Sequence, residues 1–306
     1  MNSIKWKFIS FPLAFGLLTV LLILAYDSYR RGYVGEIPRG ISEFNILDTP
    51  PACAAWKQNM PKLRDPIAHE IYIKARKLWR SKAEWALTRE EATQILNGVR
   101  DAAERGDWGA RALLARFYLQ GLGVLESNQV LAPIPEKAIE IVRTGAELQQ
   151  PWALYDLGVA YQHGYGGVPQ DGRIAWAYYA KAAERGSPEA QLALAEAYGA
   201  SRQIEKQETM RMCAFTQRFG PAASLLGGNR RAVVGDFNAA ILFFQNGVEF
   251  GDRDSALTLG RLFSEEFWPH MGIKTKPELE VLGIQVDRER SDRYHEIAQA
   301  LEINPI

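Results

Sequence analysis

The stretch Ala182 to Gly199, AAERGSPEAQLALAEAYG, runs a helix-forming sequence into Gly186, restarts it within three residues, and crowds the restart with alanine. Glycine enters the left-handed conformation that closes a helix at little steric cost, so Gly186 marks a sharp stop. The small side chains that follow let the new helix lie close against its predecessor, and Tyr198 fills the space beyond them. The stretch therefore predicts a tight helix-turn-helix.

Three other segments align with it without a gap: ERGDWGARALLARFY ending at Tyr118, ELQQPWALYDLGVAY ending at Tyr161, and EFGDRDSALTLGRLF ending at Phe263. A small residue recurs at Ala110, Ala153, Ala190 and Ser255. Five positions later stands Ala115, Gly158, Ala195 or Gly260, and three further on an aromatic, Tyr118, Tyr161, Tyr198 or Phe263. Gly106, Gly186 and Gly251 precede the small residue by four; Gln149 replaces glycine in the remaining copy. Upstream, Ile95, Ala138, Ala175 and Ala240 share one position of the preceding helix. The spacings of 43, 37 and 65 residues describe an elastic period, and the last gap has room for one degenerate copy around MRMCAFTQRFGPAASLLGG. A helix pair cannot bury its apolar face alone, so successive pairs are expected to stack into a solenoid.

Two copies continue past the aromatic into glycine turns, YLQGLGVLES and YQHGYGGVPQD, and the second leads on to YYAKAAERG. This order of small residue, Tyr, Gly-x-Gly-Val, a later Asp and a second helix with Tyr178, Tyr179, Lys181, Ala182 and Ala183 resembles the Sel-one-like repeat, a relative of the tetratricopeptide repeat. The likeness covers roughly residues 88 to 263. The first turn departs from it, because LESNQVLAPIPE is longer, with Glu126 about where Asp171 stands in the next copy. The resemblance implies an all-α solenoid and an adaptor that binds proteins. The wider layout also resembles a bacterial envelope subgroup of immunity proteins encoded beside lipase or phospholipase effectors of type VI secretion systems. That layout is an N-terminal apolar segment, the lead-in PPACAAWKQNMP, degenerate repeats and a last helix DRERSDRYHEIAQALEINP.

Phe8 to Tyr26 is a run of 19 residues with no charge. As a helix it would span about 29 Å, close to the thickness of a bilayer's hydrocarbon layer. An uncleaved transmembrane anchor is the reading taken; a cleaved signal peptide is its rival, with only a weak cleavage site at Ile23-Leu24-Ala25. Basic residues flank both ends, Lys5 and Lys7 before, Arg30 and Arg31 after, so charge alone does not set the orientation. The long following domain favours a periplasmic body on a single pass through the inner membrane. Residues 1–26 are thus read as anchor or signal and 27–66, rich in turn formers, as an extended lead-in. The repeats occupy 67–263, degenerate around 200–235, and a connector with a capping helix occupies 264–306.

The chain of 306 residues carries 36 basic and 36 acidic side chains, which excludes the basic field that nucleic acid requires. Cys53 and Cys213 are too few for a disulfide scaffold and lack metal spacing. Two unpaired core thiols are expected, with one long-range bridge as the alternative in an oxidising compartment. No Gly-x-Ser-x-Gly elbow, phosphate loop or His-Glu-x-x-His occurs. Gly164 to Pro169, GYGGVP, lacks the Lys-Ser/Thr of a phosphate loop and reads as a turn. His69, His163, His270 and His295 are scattered and read as ordinary surface or core residues. Neither an enzyme nor a cofactor or metal site is indicated.

Aromatic rings remain as the means of recognition. Trp176, Tyr178 and Tyr179 lie on a repeat helix and read as core. Trp152, Tyr165, Phe267 and Trp268 fall at helix starts or in loops, where a ring can serve as an interface anchor, and are the candidate protein-binding residues. The segment FWPHMGIKTKPELEVLGIQ interrupts the repeats, and an insertion in a solenoid often lies on its binding face. Tyr294, Ile297, Ala298 and Leu301 share one face of the last helix, suited to capping the final repeat. The expected function is an immunity protein that neutralises a toxic lipase or phospholipase; an envelope scaffold for partner proteins is the alternative.

Overall fold

The computed structural model describes residues 36–270 and 276–303, with the side chains of Lys276 and Pro277 undescribed. The chain divides into two compact units, 1–40 and 41–306. The expected membrane span, Phe8 to Tyr26, lies outside the described residues. Among those described, no helix is long and apolar enough to cross a membrane.

The second unit is all-α, and among its described residues the only β pairing is an isolated bridge between Leu122 and Leu131. Its helices run in chain order as α1 (Pro66–Trp79), α2 (Arg89–Glu104), α3 (Trp108–Gln120), α4 (Pro135–Glu147), α5 (Pro151–His163), α6 (Gly172–Glu184), α7 (Pro188–Ala200) and α8 (Ile204–Thr216). They continue as α9 (Gly220–Asn229), α10 (Phe237–Glu249), α11 (Arg253–Phe263), two short helices α12 (Phe267–His270) and α13 (Lys276–Val281), and α14 (Arg288–Ile303). From α1 to α11 each helix packs on the next in the chain, and α14 closes on α11. This serial packing is the solenoid that the repeat predicts.

The aligned small residues do what their size allows. Ala110, Ala153, Ala190 and Ser255 are all fully buried, and a methyl group built on Gly158 would stand 2.8 Å from the Tyr179 ring of the facing helix. In the stretch read as a degenerate copy, Ala222, also fully buried, stands 32 residues after Ala190 and 33 before Ser255, and a methyl group built on Gly227 would meet the Phe244 ring. Where the other copies carry the aromatic, this one has Arg230, and a wide π turn begins there, Arg230–Val234.

Each sharp turn uses one left-handed residue. Gly106, Gly186 and Gly251 have φ of 90°, 92° and 82°. Gln149 and Arg218 take the same place with φ of 57° and 63°, paying in backbone strain for a site that suits glycine. The next helix then starts at once, capped by the side chains of Asp107, Ser187 and Asp252. The longer first turn is organised differently from its sequence alignment. Asp171 caps α6, whereas α4 starts behind Pro135 without a side-chain cap, and Glu126 caps nothing. There Asn128 pins the loop to the carbonyls of Glu84 and Leu87, each at 3.0 Å.

Residues 41–65 contain little regular structure, yet they are bound to the repeats along their length. Phe44 stacks on Trp176 at 5.6 Å and meets Tyr198 edge-on at 6.2 Å. Lys206 Nζ donates to the carbonyls of Leu47 and Asp48 at 3.0 and 2.8 Å, and Gln203 to that of Ile46 at 3.1 Å. Buried Gln191 donates to the Ala54 carbonyl and accepts from Gln217, which in turn accepts from Trp56 N–H. Arg64 ends the segment with a paired bond to Asp107. Cys53 and Cys213 form a disulfide with Cα atoms 5.1 Å apart, which corrects the expectation of two free thiols. Packing of the strap against α8 brings together two residues 160 apart in sequence, a proximity no local spacing encodes.

Candidate protein-binding surface

The strap covers part of α6, α7 and α8, and an open cleft of about 330 Å³ remains between residues 42–51 and helices α6 and α7. It is lined by Phe44, Pro51, Ala177, Lys181 and Tyr198 among others, a mixed lining with no convergent set of reactive groups. Among the described residues no three His, Cys, Asp or Glu side chains are placed to hold a metal ion.

The four rings singled out from sequence fall in two places. Phe267 and Trp268 both belong to the C-terminal core, packed with Phe237 and Phe244. Trp268 is 2% exposed and its indole N–H donates to the Leu262 carbonyl at 3.0 Å, so its ring is committed to the interior. The short helix α12 turns it inward, and the insertion supports a core instead of presenting that ring. Trp152 and Tyr165 are half-buried beside the central core. Trp152 bonds Gln150 at 2.7 Å, and its ring lies where a side chain on Gly145 would point.

Tyr165 belongs to a cluster that sequence reasoning did not assemble. On α5, Trp152, Tyr155, Asp156 and Val159 follow helical spacing and are all half-buried, forming its accessible face. The Tyr155 ring lies 5.5 Å from that of Tyr179 on α6. The Tyr179 hydroxyl donates to Gln162 at the end of α5. The charge of Asp156 acts on the phenols of Tyr155, Tyr165 and Tyr179. Burial first, and then the charge of Glu189 on α7, raise its carboxyl to about 7. Burial and then Asp156 push the Tyr165 phenol up to about 12, and burial and then its acidic and phenolic neighbours raise Tyr155 and Tyr179 as well. No hydrogen bond or ion pair to Asp156 occurs among the described residues. The alignment held one clue: Asp156 occupies the register of Leu113 in α3, which is buried, and of Ala193 in α7. A carboxylate at a position the repeat uses for apolar or small side chains is out of pattern.

Comparison with known proteins places this geometry. Residues 109–132 and 153–187 match the Sel1 repeat. Among curated proteins none matches the sequence. Solved structures do: PA5086 of Pseudomonas aeruginosa has a TM-score of 0.67 at 25% identity, over 84% of this chain and 90% of that one. PA5087 of the same organism, described as an immunity protein, has a TM-score of 0.66 at 25% identity over 84% and 89%. PA5088, also described as an immunity protein, is alike in fold, with a TM-score of 0.62 at 23% identity over 83% and 88%.

Proposed function

We propose that this chain is an immunity protein that binds and neutralises a lipase or phospholipase effector of a type VI secretion system. In this reading it acts from the periplasmic face of the inner membrane, held there by Phe8 to Tyr26. The observation that carries the reading is the match to PA5087, which covers 84% of this chain and so reaches well beyond residues 109–132 and 153–187 that match the repeat motif. The physical form agrees with it. A stack of helix pairs offers a long accessible face on which a protein partner can lie. A membrane tether would raise the inhibitor's local concentration at the surface a lipolytic toxin attacks.

Two measurements test it. The full chain should co-purify with the product of a neighbouring lipase gene and suppress its activity at equimolar amounts. Cells lacking the gene should be killed by sister cells that deliver the effector. Survival of the deletion strain against an active attacker, or a wild-type protein that leaves the lipase fully active, would overturn the reading.

A further inference from the structure

We infer, resting on the membrane tether of the reading above, that the outward face of α1 and the residues leading into it dock on an anionic lipid surface.

Charge is balanced over the whole chain but not along it. Residues 57–82 hold eight Lys and Arg against two acidic residues, Asp65 and Glu70. Arg64 pairs with Asp107 at 2.6 Å and Lys82 with Glu91 at 2.8 Å; among the described residues Lys62, Lys74, Arg76, Lys77 and Arg80 form no ion pair. Asp65 is engaged as the cap of α1, where its carboxylate accepts from the N–H groups of Ile67 and Ala68. Only Glu70 opposes the excess on the helix itself.

Helix α1 buries Ala68 and Ala75, the latter against Gly98 of α2. On its other side Ile67, Glu70, Lys74 and Lys77 follow at spacings of three and four and are all exposed. Leu63, just ahead of the helix, is 92% exposed, and Ile67 61%. Two aliphatic side chains thus stand in water beside the exposed lysines Lys62, Lys74 and Lys77. A bilayer surface accommodates both kinds: the acyl boundary takes Leu63 and Ile67 out of water, and the lysine stems carry their charges to the phosphates.

The type of cation favours lipid over an acidic protein. The exposed cations of this face are lysines, while Arg76 and Arg80 are half-buried. Lysine is depleted at protein interfaces, where the planar fork of arginine matches a carboxylate, and its mobile point charge suits a diffuse layer of headgroups. Each lysine near such a surface strengthens binding about fivefold. The tether supplies proximity, since residues 27–40 can reach at most about 50 Å between Tyr26 and the repeat unit that begins at Ile41. A weak surface contact is then enough.

The test places the full chain in nanodiscs of phosphatidylcholine alone and of an equal mixture with phosphatidylglycerol, and measures lysine acetylation by mass spectrometry. Lys62, Lys74 and Lys77 should react at least about tenfold more slowly in the mixed discs, with Lys137 on α4 unchanged and the difference erased by high salt. In Lys74→Glu/Lys77→Glu the protection of Lys62 should vanish, and in Leu63→Ser/Ile67→Ser that of Lys74 and Lys77 should fall, with thermal melts of both variants unchanged. Equal rates in the two discs, or slowing that appears only when the lipase effector is added, would overturn the assignment. A chain that does not enter discs is floated with vesicles of the same two compositions, and flotation with neither, or equally with both, also overturns it. No effector is needed for the lipid arms, so their failure leaves lipase inhibition untouched, and failure to inhibit the lipase leaves the lipid result standing.

Discussion

The helix pairs from α3 to α8 and those from α9 to α11 follow one backbone plan under different conditions. In the first group the strap is bound across the helices, a disulfide fastens it, and Ala115, Leu154, Ala190 and Tyr198 belong to one continuous buried cluster. In the second, the buried residues fall into smaller clusters, a π turn replaces the aromatic position, and Val233 and Val234 stand 77% and 55% exposed. Both groups keep the fully buried small residue and the left-handed turn. The geometry of a pair is therefore set at two or three positions, and the surroundings decide how firmly a pair is held.

Cutting the disulfide is the largest perturbation of that contrast. Its bridge closes a 160-residue separation, for which the chain-entropy model gives a stabilisation of about 5 kcal/mol, with about 2–5 kcal/mol usual for native bridges. The double change Cys53→Ser and Cys213→Ser should lower the stability of the strapped repeats by that order. Hydrogen exchange should show the loss of protection concentrated in α6 to α8 and residues 41–59. Equal loss in α11 and α14 would mean that the two groups unfold as one unit and that the contrast between them has no energetic meaning.

Gly186→Ala strikes the same region from the turn. The residue has φ of 92°, and a methyl group there would lie 2.6 Å from the Ala55 carbonyl carbon and 2.8 Å from the Ala54 oxygen. Strain and collision with the strap together predict about 2–4 kcal/mol of destabilisation in denaturant titration. Gly106→Ala has φ of 90° and its methyl group would meet only the Arg111 guanidinium, at 3.8 Å, so it should cost about 1–2 kcal/mol. Equal costs would show that the strap is not firmly seated at Gly186.

The turn and the small residues were legible in the sequence because they are local and recur. The strap was not. Its partners Gln203 and Lys206 lie roughly 160 residues away and hold backbone carbonyls, so no pattern in residues 41–59 announces them. Trp268 looked like a loop aromatic because the four-residue helix that turns it inward has no periodicity to detect. Tyr165, just past the end of α5, is conspicuous in sequence as a ring in a turn. Asp156 is inconspicuous in sequence because acidic residues on helices are common, and its oddity appears only when its register is compared with Leu113 and Ala193.

Asp156 also separates the two groups through pH. Its carboxyl is raised by burial in the folded chain to about 7 from the ordinary aspartate value of 3.8, so the native state holds a proton that the unfolded state has released. Stability from this group is full below about pH 4, declines as pH rises to about 7, and stays low above. Asp156→Asn should therefore match wild type near pH 4 and exceed it at pH 8 by about 1–2 kcal/mol, less than the full linkage value because solvent still reaches the side chain. Thermal melts at the two pH values check this. A variant less stable at both would mean that the carboxylate is stabilised by contacts within the chain.

The smallest effect sharpens the comparison most. Gln149 and Arg218 both hold a left-handed conformation at the place of Gly186, one in each group. Gln149→Gly should relieve the strain and stabilise by about 0.5–1 kcal/mol, since the side chain offers only a long 3.3 Å bond to Ala146 and the backbone carbonyl that accepts from Arg185 is retained. Arg218→Gly relieves a similar strain but removes a guanidinium 4.6 Å from the Phe250 ring centroid, an interaction worth about 0.5–1 kcal/mol. The second change should therefore leave stability almost where it was. Should both substitutions stabilise equally, the Arg218 contact with Phe250 contributes nothing, and the less regular repeats would be held by their small residues alone.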